Sequence, residues 1–96
     1  MLVLITYDVQ TITNSGKKRL RQVAKKCEEY GVRVQNSVFE CVVNSTQLRE
    51  LEISLEEIID PNVDSLRLYR LGRNYKSKVK HIGAKPSLDV EKPLIF

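Results

Sequence analysis

The first hydrophobic segment of the chain, at residues 2–7, is almost uninterrupted and ends at Asp8. It contains Leu, Val, Ile, Thr and Tyr, and a run this short and rich in such residues is typical of a strand buried on both faces. Because side chains alternate along a strand, we expect Val3, Ile5 and Tyr7 on one face and Asp8 on the other. The pattern therefore predicts a central strand with Asp8 at its carboxyl end.

Residues 17–30 carry hydrophobic side chains at helical spacing and follow a polar loop. Either Asn14 or Ser15 can cap the start of this helix, and Gly31 is expected to end it in a left-handed conformation. The predicted inner stripe consists of Leu20, Val23, Ala24, Cys27 and Tyr30.

Residues 46–60 form a second helical pattern. Asn44 precedes it, Gln47 stands three residues after Asn44 at the spacing of a capping box, and Pro61, which stops a helix, follows it. Its predicted inner stripe consists of Leu48, Leu51, Leu55, Ile58 and Ile59.

Three further segments, at 32–36, 38–43 and 65–71, have the composition and alternation of strands. The first two are interrupted at 36–37, and we interpret them as two strands rather than one bulged strand. The resulting order, β-α-β-β-α-β, favours an α+β, ferredoxin-like sandwich with an antiparallel sheet and both helices on one face. An extra strand at 78–82 would complete a domain of residues 1–83.

Size and composition restrict the class of protein. Ninety-six residues with 42% hydrophobic and 29% charged side chains suit one globular domain. The chain shows neither a membrane span nor a secretory signal, so we expect a cytoplasmic protein. Cys27 and Cys41 fall at inward positions and are expected to be buried thiols, and a single histidine makes a zinc site improbable.

The charges are segregated along the chain, although the net charge is only +4. Residues 17–33 hold seven basic side chains against two acids, residues 40–64 hold seven acids against one base, and residues 65–88 hold seven basic side chains and no acid. This segregation suggests one face for a polyanion and another that stays clear of it, although solvated helix faces of different sign explain the pattern equally well.

Asp8 has two interpretations from the residues alone. An aspartate at a strand end most often forms its own turn. A symmetric dimer offers the alternative, because two copies of Asp8 meeting across a two-fold axis could share a Mg²⁺ ion that activates water against a phosphodiester. Lys17, Lys18, Arg19 and Arg21 stand just beyond the Asp8 loop, where cationic side chains and helix amides suit phosphate.

Three segments of the chain resemble the CRISPR-associated protein 2 family, the small ferredoxin-like subunit of the spacer-acquisition machinery. They read Y-D-V at 7–9, Y-G-V-R-V-Q-N-S-V-F-E at 30–40 and Y-R-L-G at 69–72. The tail is similar to one branch of that family, with H-I-G-A-K-P at 81–86 and P-L-I-F at 93–96.

The resemblance implies a homodimer in which Asp8 is the catalytic residue and a metal ligand, one from each subunit. It implies phosphodiesterase activity on single-stranded RNA or double-stranded DNA that depends on Mg²⁺ or on another divalent cation such as Mn²⁺. Arg33, Ser37 and Phe39 match the family's motif run. With the basic residues of the first helix, Arg33 and Ser37 are expected at the nucleic acid, and Tyr7 and Phe39 in a structural or substrate-proximal position.

The resemblance also implies a complex with the CRISPR integrase subunit, in which the dimer bridges two integrase dimers and DNA lies across basic surface. Two functional hypotheses follow, a metal-dependent endonuclease and a non-catalytic DNA-binding scaffold. The hydrophobic end of the tail, residues 84–96, is expected to pack on the partner subunit, and the alternative is a frayed terminus.

Overall fold

The computed structural model describes residues 1–10 and 12–83 and contains four strands and two α-helices in this region. The elements are β1 (Leu2–Asp8), α1 (Asn14–Glu28), β2 (Gly31–Gln35), β3 (Val38–Val42), α2 (Ser45–Ile58) and β4 (Ser65–Gly72). The strands form one antiparallel sheet in the order β2-β3-β1-β4, and the predicted ferredoxin-like α+β fold is confirmed.

Strand β1 lies in the interior of the sheet, between β3 and β4, as its hydrophobic run predicts. Val3, Ile5 and Tyr7 are buried under the helices, while Asp8 is exposed at the strand end. The helices contribute the opposing half of the core through the predicted stripes, of which the fully buried members are Val23, Ala24, Cys27, Leu48, Leu51 and Leu55. The core therefore holds β1 in place along its whole length.

Both helices begin at side-chain caps. The cap of α1 is Thr13, whose hydroxyl accepts a hydrogen bond from the Gly16 amide at 3.0 Å, so the expectation of Asn14 or Ser15 as cap is wrong. The cap of α2 is Asn44, and its predicted exchange of hydrogen bonds with Gln47 is present at 2.8 and 3.0 Å. The capping box is confirmed.

Gly31 does not end α1 in a left-handed conformation, because its φ is not positive and it is the first residue of β2. A Cβ atom at this position would lie 1.9 Å from the carbonyl oxygen of Glu40, since β2 and β3 approach closely there. Glycine is required at position 31 for space. The helix ends at Glu28, and its C-cap, Glu29, has a right-handed backbone conformation.

The face of the sheet opposite the helices carries a half-buried hydrophobic surface in this single chain. We call it the open face; it contains Leu4, Thr6, Val38, Val42 and the exposed Tyr69. Asp8 lies at one end of this face, because it follows Leu4 and Thr6 at alternate positions of β1.

The chain beyond β4 forms a short 3₁₀ helix (Tyr75–Ser77), and the extra strand that the sequence allowed at 78–82 does not form. Residues 84–96, for which packing on a partner subunit was expected, lie outside the described residues. Cys27 and Cys41 are buried and unbridged, as predicted. Neither helix in the described part has the length and hydrophobicity that a bilayer crossing requires.

Candidate functional site

Asp8 is an exposed carboxylate at the end of a rigidly packed strand. It is paired across the sheet with Ser65, the first residue of β4. Its carboxylate makes no hydrogen bond and no ion pair with any residue in 1–10 or 12–83. The turn-forming interpretation is therefore not observed among these residues, and the Asp8 side chain is exposed.

Two neighbouring segments frame Asp8 on the open face. The turn between β2 and β3 lies on one side, since the Tyr7 amide donates to the Ser37 carbonyl at 2.9 Å. Strand β4 lies on the other side and places Arg67, the partner of Thr6, on the same face as Asp8. The guanidinium of Arg67 is exposed and lies 3.5 Å from the Tyr69 hydroxyl.

Arg67 and Ser65 were not identified from the sequence as neighbours of Asp8. The alternation of β4 does place Arg67 opposite its hydrophobic residues, but only the register between β1 and β4 shows which residue it stands beside. Pairing of Thr6 with Arg67 makes the arginine a diagonal neighbour of Asp8, a separation of roughly 7–8 Å between cross-strand positions.

Three of the four basic residues expected to bind phosphate are exposed on α1. Lys17, Lys18 and Arg21 form no ion pair with any described residue, so their charges are uncompensated at the surface. They lie in the first two turns of α1, after the loop that connects this helix to Asp8. The structure thus brings these three cations to the same end of the molecule as β1's carboxyl terminus.

Arg19, the fourth, is directed into the protein and not, as expected, towards a phosphate at the surface. Its guanidinium binds the carboxylate of Asp64 through Nε at 2.7 Å and Nη2 at 3.2 Å, and its side chain is only 14% exposed. A bidentate pair of this kind occupies the donors that a phosphate would need. Arg19 is a structural residue in this chain, not a surface cation.

Asp64 is the one buried charged residue in the part of the chain that the structure describes. Burial alone would raise its pKa, but hydrogen bonds from Arg19, from the Tyr7 hydroxyl and from the Asp60 amide outweigh burial and leave the pKa below its ordinary value. Burial and the same carboxylate raise the pKa of the Tyr7 hydroxyl well above its ordinary range. Both groups therefore keep one protonation state near neutral pH.

Of the remaining predicted residues, Arg33 and Phe39 are separated from Asp8, whereas Tyr7 immediately precedes it and Ser37 lies in the turn beside it. Arg33 pairs with Phe39 on the helix side of the sheet, and its guanidinium donates to the Asn36 carbonyl at 2.8 and 2.5 Å, 5.8 Å from the Phe39 ring. Phe39 and Tyr7 are both buried in the core, which makes them structural. Ser37 is half-buried in the turn beside β1.

A single chain does not supply a complete metal site in its described residues. No group of three His, Cys, Asp or Glu side chains comes together within 1–10 and 12–83. Mg²⁺ prefers near-octahedral oxygen coordination and is usually held by one or two carboxylates with water and phosphate. Asp8 fits the role of one such ligand, and a second copy of Asp8 would provide the other.

Comparison with known proteins assigns the fold to a family. The family model described as CRISPR associated protein Cas2 matches residues 1–79. The chain is 69% identical to the CRISPR-associated endonuclease Cas2 of Halalkalibacterium halodurans, over 100% of both chains, and 53% identical to the CRISPR-associated endoribonuclease Cas2 of Chlorobaculum tepidum, again over 100% of both.

Solved structures agree with this assignment. The crystal structure of Streptococcus pyogenes Cas2 at pH 6.5 superposes with a TM-score of 0.80 at 52% identity, covering 86% of this chain and 100% of that one. A second crystal structure, of a cas2 protein, superposes with a TM-score of 0.67 at 32% identity, covering 98% of each chain. The family match and these identities show that the chain belongs to the CRISPR-associated Cas2 family.

Proposed function

We propose that this chain is a metal-dependent endonuclease of CRISPR spacer acquisition that cleaves phosphodiester bonds of RNA or double-stranded DNA as a homodimer. The observation that carries the proposal is the exposed Asp8 carboxylate, which has no partner in the described part of its own chain. The names of the relatives, endonuclease and endoribonuclease, support the same activity.

In the proposed site, the acidic residue would bind the metal ion and the basic residues would bind phosphate. In the dimer, two Asp8 carboxylates facing each other would hold one divalent cation, Mg²⁺ or Mn²⁺. Such an ion, when bound, polarises a phosphoryl oxygen and lowers the pKa of water. Lys17, Lys18 and Arg21 would bind the phosphates that flank the cleaved bond, since a polyanion is held mainly through its backbone charges.

Replacement of Asp8 tests the proposal directly. Because Asp8→Asn keeps the size of the side chain and removes its charge, we expect metal-dependent cleavage of duplex DNA or RNA to fall at least 100-fold while the fold is unchanged. The measurement is the cleavage rate with Mg²⁺, with Mn²⁺ and with chelator.

The matched control is Glu50→Gln, an exposed acid on α2, one of the two helices on the opposite face of the sheet. We expect it to cleave at the rate of the wild type. Cleavage by Asp8→Asn at the wild-type rate, or cleavage that persists in chelator, would contradict the assignment of Asp8.

A second function is favoured by the exposed cations Lys17, Lys18 and Arg21 of α1, which form no ion pair within the described ranges: a non-catalytic dimer that binds duplex DNA and bridges two dimers of the CRISPR integrase subunit. This scaffold needs Lys17, Lys18 and Arg21 but not the charge of Asp8. Unchanged spacer acquisition and integrase binding by a cleavage-deficient Asp8→Asn chain would favour the scaffold over the nuclease.

A further inference from the structure

We propose that Asp64 and Arg19 are positioning residues for Asp8, joined to it through Tyr7 and Ser65. The inference rests on the proposed function, because it concerns the carboxylate that would act there. It assigns a role to the buried ion pair, which neither the charge pattern nor the motif segments indicate.

Asp64 gathers three separate parts of the chain onto one carboxylate. It accepts hydrogen bonds from the Tyr7 hydroxyl at 2.5 Å, from the Arg19 guanidinium at 2.7 and 3.2 Å and from the Asp60 amide at 3.0 Å. Tyr7 belongs to β1, Arg19 to α1 and Asp60 to the loop after α2. The carboxylate therefore links these elements at the end of the molecule where Asp8 lies.

Both backbone neighbours of Asp8 in the sheet are attached to this group. Tyr7 immediately precedes Asp8 in β1, and Ser65, the cross-strand partner of Asp8, immediately follows Asp64. The Asp8 side chain has no hydrogen bond or ion pair with the described residues that would fix it. Its position is consequently set by the backbone on either side, which Asp64 holds.

The geometry of the group is strict because it is buried. The Asp64 side chain has no exposed surface. Removal of one partner of a buried ion pair strongly destabilises the folded protein, because it leaves an uncompensated buried charge. Arginine offers two parallel donors to one carboxylate, an arrangement that lysine does not reproduce. Even a conservative change at position 19 should therefore loosen the end of β1.

The test uses the full-length dimer with the variants Asp64→Asn and Arg19→Lys. The control is Lys26→Gln, which breaks the exposed pair with Glu29 on the same helix. Rates are expressed per folded molecule, with the folded fraction taken from chemical unfolding. We expect kcat to fall at least about 10-fold in both variants with KM within twofold of the wild type, because supporting residues act on placement and not on substrate binding.

A second measurement separates positioning from general loss of stability and from failure of the proposed function. We expect the amide order parameters of Asp8 and Val9, from ¹⁵N relaxation, to fall from rigid values near 0.85 in the wild type and in Lys26→Gln to clearly lower values in the two variants. If either variant fails to fold, Tyr7→Phe replaces it, since it removes a single hydroxyl.

Unchanged order parameters together with unchanged kcat in the folded variants would overturn the inference. If the wild type shows no metal-dependent cleavage, the proposed function fails, and the order parameters alone decide whether Asp64 and Arg19 position the end of β1.

Discussion

At the scale of single residues, the fold depends on one buried charge. The Asp64 carboxylate is stable in the interior because four donor atoms surround it, so its removal would leave Arg19 and Tyr7 without their partner. Removing one member of a buried pair usually costs about 3–5 kcal/mol. By contrast, the pairs of Arg49 with Glu52 and of Lys26 with Glu29 lie at the surface, where water and salt screen them, and they contribute little to stability.

The pH dependence of stability should report this carboxylate. Because the pKa of Asp64 is lowered in the folded chain, its contribution is fully present above its unfolded pKa of about 3.9 and is lost as pH falls through the lower folded value. We expect the free energy of unfolding to fall more steeply with acid in the wild type than in Asp64→Asn. Urea unfolding between neutral pH and pH 2 measures this free energy in both proteins. An equal decrease with acid in the wild type and in Asp64→Asn would contradict the prediction.

The candidate site was partly predictable at this scale. Asp8 is visible in the sequence because a hydrophobic strand leads directly to it. The group around Asp64 is not, because Tyr7 and Arg19 precede Asp64 by 57 and 45 residues and meet it only once the sheet order is known. For the same reason Arg19 could not be distinguished from the exposed basic residues beside it.

At the scale of elements, periodicity predicted every strand and helix of the βαββαβ core, while most errors lay at helix ends and after β4. Thr13, Asn14 and Ser15 are all competent caps by residue type, and the structure has the Gly16 amide donating to Thr13. Position 16 lies close to the preceding loop, since a Cβ there would be 1.6 Å from the Gln10 carbonyl oxygen. Gly31 shows the converse case, a glycine needed for strand contact that has the sequence context of a helix terminator.

The cap of α2 offers a direct test at this scale. We expect Asn44→Ala to lower the free energy of unfolding by about 1 kcal/mol, because it leaves the Gln47 amide without its acceptor. Ser45→Ala is the control, since its side chain makes no capping hydrogen bond. Equal stability of Asn44→Ala and Ser45→Ala, measured by urea unfolding, would show that the capping box contributes nothing.

At the scale of the whole molecule, the two faces of the sheet differ. The helices cover one face, and the open face leaves hydrophobic side chains of β1 and β3 half-buried in the single chain. Hydrophobic surface of this kind is stabilised by association, and a two-fold axis through the open face would also bring two copies of Asp8 towards each other. The proposed metal site and the proposed dimer are thus one structural hypothesis.

A charge on the open face should separate the subunits. We expect Leu4→Lys to be a monomer at concentrations where the wild type is a dimer, while its fold persists because the new cation stands opposite Glu40. Ile53→Lys, on the exposed side of α2, is the control and should remain dimeric. Sedimentation equilibrium measures both, and a dimeric Leu4→Lys chain would place the interface elsewhere.

The buried cysteines have a practical consequence for measuring that interface. Cys27 and Cys41 are the only cysteines in the sequence and both are inaccessible, and the pKa of the Cys27 thiol is raised by its hydrogen bond with Cys41 and by burial. Thiols of this kind react slowly with alkylating reagents. A single cysteine introduced at Gln10 can therefore carry a spin label in the otherwise native chain, and the label-to-label distance across the dimer would report how closely the two strand ends approach.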